Sequence, residues 1–599
     1  MDRLDRNEFE FSKNFHNRVK PNEKNSVKSP PNGSQRKAFL AKIPSKSDSW
    51  AVPIIDLELE NHSNPPRSMI YEKELIDQDR QRKSQRQCIN LESIDWKTSK
   101  SLRYAMISLL SFSLILIFFD IVLDFLELSM RINPGNLFYG IWAELPYKAK
   151  AKFFIFELMN GKDFLQGARA RFKLKGPFVC EVYFESSVQR TRSVVDWFDD
   201  TLIYVERLIL QLNQEESIGI DVPLKMFNIP VLASVSMASN LLEKFSIKFL
   251  SPIVFNALIL SMEAFNEKII DEVTPEQILL GRKIEILNFL DSLGSPLRTI
   301  GVPVPDVDTI LAKMNSDVLK NNSLSIVNII GRESNSIESY RFAENGHLVN
   351  QVKKFDGSSA FKNYRSPCNR VRGLDPIYFG VRDQGKFLDI FIQNYCRPIP
   401  FFRNSSTSVY KGIGTIRYLA SPRMFEMKIS KNRCFCHGTK SYSECDGFTD
   451  ISACYADLPI ALTHPNFLGS PRLRSKVIGL HPIIERDLSS MEVEPNLGVL
   501  VYANFQFQFS FIMKKNSASV RLRNIRPCLY PFFTMQLIVY PEGFLQYILL
   551  VGHWFFTYGK LILMSITMLL SLIYLYQGFS TGNNLSVQKK SLLTKLNGP

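Results

Sequence analysis

Two long apolar segments constrain this chain more than any other feature. The first runs from Tyr104 to about Leu123 and the second from Leu561 to about Phe579. A helix crosses the hydrocarbon core of a bilayer in roughly 20 residues at ~1.5 Å each, and both segments are that long. Two crossings put both termini on one side and a single large, mostly polar middle on the other. Lys97, Lys100 and Arg103 precede the first segment, and Lys589, Lys590 and Lys595 follow the second. Asp120, Asp124 and Glu127 stand at the far end of the first. Basic flanks mark the cytosolic side. The expected organisation is a cytosolic tail over 1–103, a membrane helix over 104–123, an extracellular or lumenal domain over 124–560, a second membrane helix over 561–579 and a cytosolic tail over 580–599. The expected location is the plasma membrane, with an endolysosomal membrane as the alternative.

The net charge of +15 would suggest nucleic acid in a soluble protein, but here basic membrane flanks account for part of it. No nucleic-acid partner is expected. No apolar run follows the start, so the first membrane segment is expected to serve as an uncleaved signal-anchor. The first hundred residues mix charges with Ser, Asn and Pro and read as disordered, with one more apolar stretch from Trp50 to Leu59. The apolar residues from Phe544 to Tyr558 read as an interfacial segment, with Trp554, Phe555, Phe556 and Tyr558 at headgroup depth.

Six of the nine cysteines lie close together: Cys368, Cys396, Cys434, Cys436, Cys445 and Cys454. In a non-cytosolic domain such a cluster is a disulfide framework, and six cysteines allow 15 pairings. Cys434 and Cys436 flank a single residue and are not expected to bond each other. A zinc site using Cys434, Cys436, His437, Cys445 and Cys454 is the competing reading. It lacks the usual ligand spacing and belongs to reducing compartments. Cys88 is expected to be reduced in the cytosolic tail, and the sequence leaves Cys180 and Cys528 open. Within the middle domain Asn321 and Asn404 begin N-x-S triplets and are candidate glycosylation sites.

Short apolar runs alternate with turn residues through the middle. Phe153–Leu158, Ala170–Leu174, Val179–Phe184, Lys386–Gln393, Val409–Tyr418 and Leu500–Met513 read as strands. Between Asn504 and Phe511 polar residues alternate with phenylalanine, which predicts one buried and one wet face. The 45 phenylalanines suit a large aromatic core or an apolar cavity. The stretch from Met226 to Asn266 reads instead as two or three helices, with Pro230 and Pro252 near their starts. Lys244 and Lys248 are four apart, share a face if helical, and are candidates to meet an anionic ligand. No G-x-S-x-G, H-E-x-x-H or phosphate loop occurs, so no catalytic residue, metal or cofactor is expected, and the chain does not read as an enzyme.

Several blocks in order resemble the class B scavenger receptor family, which includes the fatty-acid translocase, the lysosomal integral membrane proteins and the sensory neuron membrane proteins. They are Phe153-Phe154-Ile155-Phe156-Glu157-Leu158, Gly176-Pro177-Phe178, Leu279-Leu280-Gly281, Asn432-Arg433-Cys434-Phe435-Cys436, Gly447 to Cys454, His464 to Leu468, Gly479-Leu480-His481-Pro482 and Glu494 to Gly498. The Cys-Phe-Cys and Asp-Ile-Ser-x-Cys pair is the most specific. The resemblance covers about 104 to 580. It implies disulfides joining Cys368 to Cys434, Cys396 to Cys454 and Cys436 to Cys445. It implies an α+β fold, in which two transmembrane helices flank a large disulfide-bonded ectodomain. The core would be an antiparallel β-barrel-like sheet, with a membrane-distal helical bundle at about 226–266 and the disulfide region at 368–454. A lipid-conducting tunnel is implied as well, as are ligands at the tip near Lys244 and Lys248. The long N-terminal tail, the residue after Gly176-Pro177, Asp487 in place of a frequent histidine, and Leu592-Leu593 without an upstream acid all depart from the pattern.

The expected function is a double-pass receptor that binds lipids or lipid-bearing particles and passes hydrophobic ligand through the ectodomain toward the bilayer. Its partners would be a lipid, fatty acid, sterol or lipoprotein-like ligand, the membrane bilayer, and protein ligands at the tip. The rival readings are a two-span ion channel of the epithelial sodium or proton-gated type and an adhesion receptor without lipid transfer.

Overall fold

The computed structural model describes residues 100–596, with breaks of which the longest are 184–191, 284–294 and 302–322. The stretch Trp50–Leu59, Cys88, His437 and Asn321 lie outside the described residues. The chain is a mixture of helix and sheet. Its first described helix, α1, is Lys100–Ser129, and its last, α5, is Lys560–Leu596. The first, and the second as far as Ser580, are apolar around most of their circumference, as a helix solvated by lipid must be. The helices at Arg103–Ser129 and Gly543–Ser580 are long and apolar enough to cross a membrane.

The two apolar helices pack on each other. Ala105, Ser108, Phe119 and Ser571 are buried, and most other side chains stay exposed. The Ser108 hydroxyl donates to the Thr567 carbonyl. Tyr104 lies against Tyr574, centroids 5.3 Å apart, and Phe119 stacks on Phe555 at 4.9 Å. At ~1.5 Å per residue, Trp554 and Tyr574 stand about 30 Å apart along their helix, the thickness of a hydrocarbon core. The packing therefore engages the second apolar helix well before Leu561. Phe544–Tyr558 is not a separate segment: helix α4, Gly543–Trp554, runs through one π turn, Phe555–Gly559, straight into α5.

Between these helices lies an 11-stranded antiparallel sheet. Its strands in chain order are β1 (Tyr147–Leu158), β2 (Phe172–Tyr183), β3 (Ile209–Asn213), β4 (Phe387–Ile392), β5 (Arg397–Tyr410), β6 (Ile413–Ala420), β7 (Thr449–Asp450), β8 (Ile460–Thr463), β9 (Ser490–Val493), β10 (Leu500–Met513) and β11 (Cys528–Pro541). The lateral order is β4-β5-β6-β9-β10-β11-β1-β2-β3, and β7 and β8 branch off β10. Expectation and structure part here. The sheet is open, with β4 and β3 at its two edges, and does not close into a barrel among the described residues.

Two expected strands are rearranged. Ala170–Leu174 and Val179–Phe184 fall mainly in the single strand β2, whose register against β1 shifts at the Gly176-Pro177 step. Val409–Tyr418 is not one strand but the tip of the β5–β6 hairpin. Lys411 and Gly412 turn the chain there with φ of 48° and 84°, the positive pair a tight hairpin requires. The Asn504–Phe511 alternation does form a strand, but its polar face is not wet. Gln506, Gln508 and Ser510 are 4%, 0% and 1% exposed. The segment 464–490 lies over them. The Gln506 amide donates to the Leu488 carbonyl at 3.2 Å, and the Asn466 N–H donates to Gln508 Oε1 at 2.8 Å. Buried amides persist only where such partners exist.

The Met226–Asn266 stretch holds two helices, α2 (Ile229–Lys244) and α3 (Ser251–Ala264), beside a ribbon of Leu224–Phe227 and Ile270–Val273. Asn256 of α3 donates to the Ala518 carbonyl in the β10–β11 connection. Gly543 follows the opposite end of that strand pair. Fourteen-residue strands at ~3.4 Å per residue span about 45 Å, so the helical pair sits far from the apolar helices. Near them, a buried joint fixes α4 to the sheet. His553 Nδ1 donates to the Glu494 carboxylate at 2.8 Å, and the Gly414 N–H donates to His553 Nε2 at 3.1 Å. Leu545 and Leu549 bury the same face of α4.

Candidate functional site

The inward face of the sheet explains where space remains in the core. Side chains alternate along a strand, so one face of β1 carries Tyr147, Ala149, Ala151 and Phe153. The matching face of β11 carries Phe533, Met535, Leu537 and Val539, and that of β10 carries Phe505, Phe507 and Phe509. Cross-strand register sets Ala149 against Val539 and Ala151 against Leu537. The two alanines leave room that a leucine or phenylalanine would fill.

Two apolar chambers occupy that face. The lower one, about 160 Å³, is lined by Leu145, Tyr147, Ala149, Ala151, Phe505 and Leu537 among others. The upper one, about 140 Å³, is lined by Met226, Pro230, Ile326, Phe509, Phe511 and Phe533 among others. Ile330 and Met535 line both. Along β11 the linings run from Phe532 to Val539, roughly 24 Å at ~3.4 Å per residue. The upper chamber thus begins at the start of α2, and the lower one ends next to the strand that leads into α4.

Polar groups mark the ends. In the upper chamber Arg282 pairs with Glu267 and Asp271, each at 2.5 Å, and Asn228 donates to Glu267 at 2.6 Å. In the lower chamber the Tyr147 hydroxyl donates to the Leu500 carbonyl at 2.9 Å, and burial, aided by Asp375, pushes its phenol far up. Phe509 and Phe533 stack at 4.7 Å between the strands, and Tyr395 meets Phe507 edge-on at 4.7 Å.

Three disulfides fasten the side of the sheet that bears β4 and β5: Cys368–Cys434, Cys396–Cys454 and Cys436–Cys445. The Cys396–Cys454 bond joins the neighbours of Tyr395, which lines the lower chamber, and of Tyr455, which lines the upper one. Within this region Arg397 is 2% exposed, lies 3.8 Å above the Phe435 ring and donates to Thr449 at 2.6 Å. Cys180 and Cys528 are buried and unpaired.

Lys244 and Lys248 do not share a helical face. Helix α2 ends at Lys244, Ser246 turns the chain with φ of 58°, and Lys248 opens a separate short turn. Both lysines are exposed, and Lys248 pairs with Glu243 at 2.8 Å. That hydrogen bond lowers the Glu243 carboxyl. Neither lysine lies at a chamber; Lys248 lines a separate polar cleft between the helices and Lys514–Leu522. Asn404 sits where β5 bulges: its register against β6 slips between Arg403 and Thr407, which frees the Asn404-Ser405-Ser406 triplet from the ladder. The chambers themselves escaped sequence reasoning residue by residue. The Ala149 and Ala151 spacing was the available signal, and it means nothing until β11 and β10 are known to stand opposite.

Comparison with known proteins gives a consistent answer. Scavenger receptor class B member 1 of Mus musculus is 24% identical over 447 residues, covering 70% of this chain and 80% of its own length. Sensory neuron membrane protein 1 of Heliothis virescens is 25% identical over 447 residues, covering 72% and 82%. The family model described as the CD36 family matches residues 104–577, from the first apolar helix to the second, and the chain belongs to that family.

Proposed function

We propose that this chain is a double-pass scavenger-type receptor that binds lipids or lipid-bearing particles and passes hydrophobic ligand through its ectodomain to the bilayer. The observation that carries this reading is the pair of apolar chambers set end to end between the helical tip and the strand entering α4. Membership in a family of membrane receptors supports it and sets aside the channel alternative. Both tails face the cytosol in this reading, Asn321 and Asn404 carry glycans, and Lys244 and Lys248 meet anionic particles at the tip.

The energetics suit passive transfer. Each methylene buried from water is worth about 0.8 kcal/mol, in the chamber as in the bilayer, so passage between them needs no energy source. The ligand classes are fatty acids, sterols and other apolar lipids. Replacing Ala151 by Trp fills the lower chamber. Cells bearing Ala151→Trp are expected to bind lipid particles at their surface as before and to lose most lipid uptake. Unchanged uptake at equal surface expression would refute the reading.

A further inference from the structure

We propose that the hairpin of Arg192–Trp197 and Thr201–Glu206 is a foot of the ectodomain, resting Val195, Trp197 and Phe198 in the headgroup layer of the leaflet on that side. The inference rests on the double-pass reading above and adds a contact with the bilayer outside the two membrane helices.

The two strands of this hairpin differ in character. Thr201–Glu206 packs into the core, with Leu202 and Tyr204 at 0% and 1% exposure. Tyr204 meets Trp142 edge-on at 5.0 Å. The front strand and the turn leave Val195, Trp197 and Phe198 at 64%, 36% and 46%. Val195 stands at a bulge, where the register slips between Val194 and Asp196, and a bulge re-aims the side chains around it. The Phe198 N–H donates to the Thr201 carbonyl at 2.8 Å and closes the turn. Single exposed apolar side chains are ordinary, but three within four residues at one turn form a patch that calls for a partner.

The partner follows from where the tip is tied. The Arg341 guanidinium donates to the Phe198 carbonyl at 2.7 Å and to Asn133 Oδ1, and stands 4.9 Å over the Trp197 ring. The Arg341 carbonyl accepts from the Ile132 N–H at 2.9 Å, and its N–H donates to the Asp200 carbonyl at 3.0 Å. Ile132 and Asn133 follow closely on Ser129, where α1 ends. Counted from Tyr104 at ~1.5 Å per residue, a core of ~30 Å ends near Asp124, and Ser129 stands ~8 Å beyond it. A headgroup layer is roughly 5–8 Å deep on each side, so the tip is fastened at the outer edge of that layer. Phe125 and Leu128 stay exposed on the last turns of α1, so apolar surface reaches this height on the helix as well.

The chemistry of the tip suits that depth. Tryptophan combines an apolar body with one N–H donor and favours the membrane–water interface. Asp196, Asp199 and Asp200 beside it keep the hairpin from sinking further, because a carboxylate in hydrocarbon is costly. Among headgroups the same carboxylates stay hydrated and meet choline cations, so the contact is shallow and fits a zwitterionic leaflet. The strand behind the foot carries Tyr204 and Glu206 into the lining of the lower chamber, so the foot sets the height of that chamber above the leaflet.

The test uses the full-length chain in phosphatidylcholine vesicles and reads tryptophan emission with and without a lipid spin-labelled on its headgroup. Subtracting the Trp197→Phe spectrum from that of wild type leaves the Trp197 emission, free of Trp554. The headgroup label is expected to quench this difference roughly twofold or more, and a label at the middle of the acyl chain to quench it less. Should Trp197→Phe lose its cooperative melt, Phe198→Trp minus wild type is read in its place by the same ratio. A difference unmoved by the headgroup label overturns the foot: quenching by aqueous iodide would then place the tip in solvent, and quenching by neither would place it under protein. Stronger quenching by the mid-chain label overturns the headgroup depth. Wild type that alkaline carbonate strips from the vesicles overturns the double-pass reading as well, whereas a chain that resists carbonate with an unquenched difference overturns the foot alone.

Discussion

His464 is a residue whose environment sets a pH limit on the fold. It is 1% exposed, its Nε2–H points at the Ser421 carbonyl at 3.0 Å, and Nδ1 has no hydrogen-bond partner. Burial, opposed only in part by that bond, pulls its pKa down to about 4. The unfolded chain takes up this proton near the ordinary value of about 6.5 and the native chain only near 4. Between those values the unfolded state binds more protons, so stability is full above the upper value and falls as pH drops. The loss approaches roughly 3 kcal/mol at ~1.4 kcal/mol per pH unit. The melting temperature of the wild type should decline from pH 6.5 to 4, and His464→Gln should flatten that slope; equal slopes in both proteins would remove His464 as the cause. Arg397 is the contrasting case. Burial draws its pKa down to about 10, so it stays charged at neutral pH, held over Phe435. Neither environment is visible in the sequence, because Ser421, Phe435 and Thr449 reach these groups only through the fold.

At the scale of elements, strands were more legible than their surroundings. The Leu500–Met513 strand follows from its own alternation, and the structure has it with those ends. What covers its polar face does not follow, because segment 464–490 arrives by tertiary packing. The β5–β6 hairpin shows a second limit: apolar residues run through Val409–Tyr418, and Lys411-Gly412 breaks the run only through backbone geometry. The disulfides act at this scale too. Cys396 and Cys454 are 58 residues apart in sequence, and a closed loop of that length stabilises by roughly 4 kcal/mol in the chain-entropy model. Cys396→Ser with Cys454→Ser should lower the denaturant midpoint by a corresponding amount and weaken lipid retention, because Tyr395 and Tyr455 line the chambers. An unchanged midpoint under non-reducing conditions would show that the bond carries no such load.

For the whole molecule, the consequential features are the paired apolar helices and the open sheet between them. The helices meet along a register set by Tyr104–Tyr574 and Phe119–Phe555, which ties both ends of the domain to one place. The bulge at Asn404 offers a reporter of sidedness. Endoglycosidase treatment of protein from an animal cell is expected to shift its gel mobility, and Asn404→Gln should remove a distinct part of that shift. A wild type insensitive to the enzyme would contradict the proposed exposure of this domain to the lumen.

The sequence alone determined the features that depend on near neighbours. Apolar length and flanking charge marked the two long helices, period-two alternation marked the central strand, and ordered motifs pointed to the family. Only the tertiary structure decided the open edges of the sheet, the burial of Gln506 and Gln508, and the two chambers. Empty space has no residue of its own. It exists because alanines on β1 stand opposite side chains on strands several hundred residues away, and distant segments meet through packing, which local patterning does not encode.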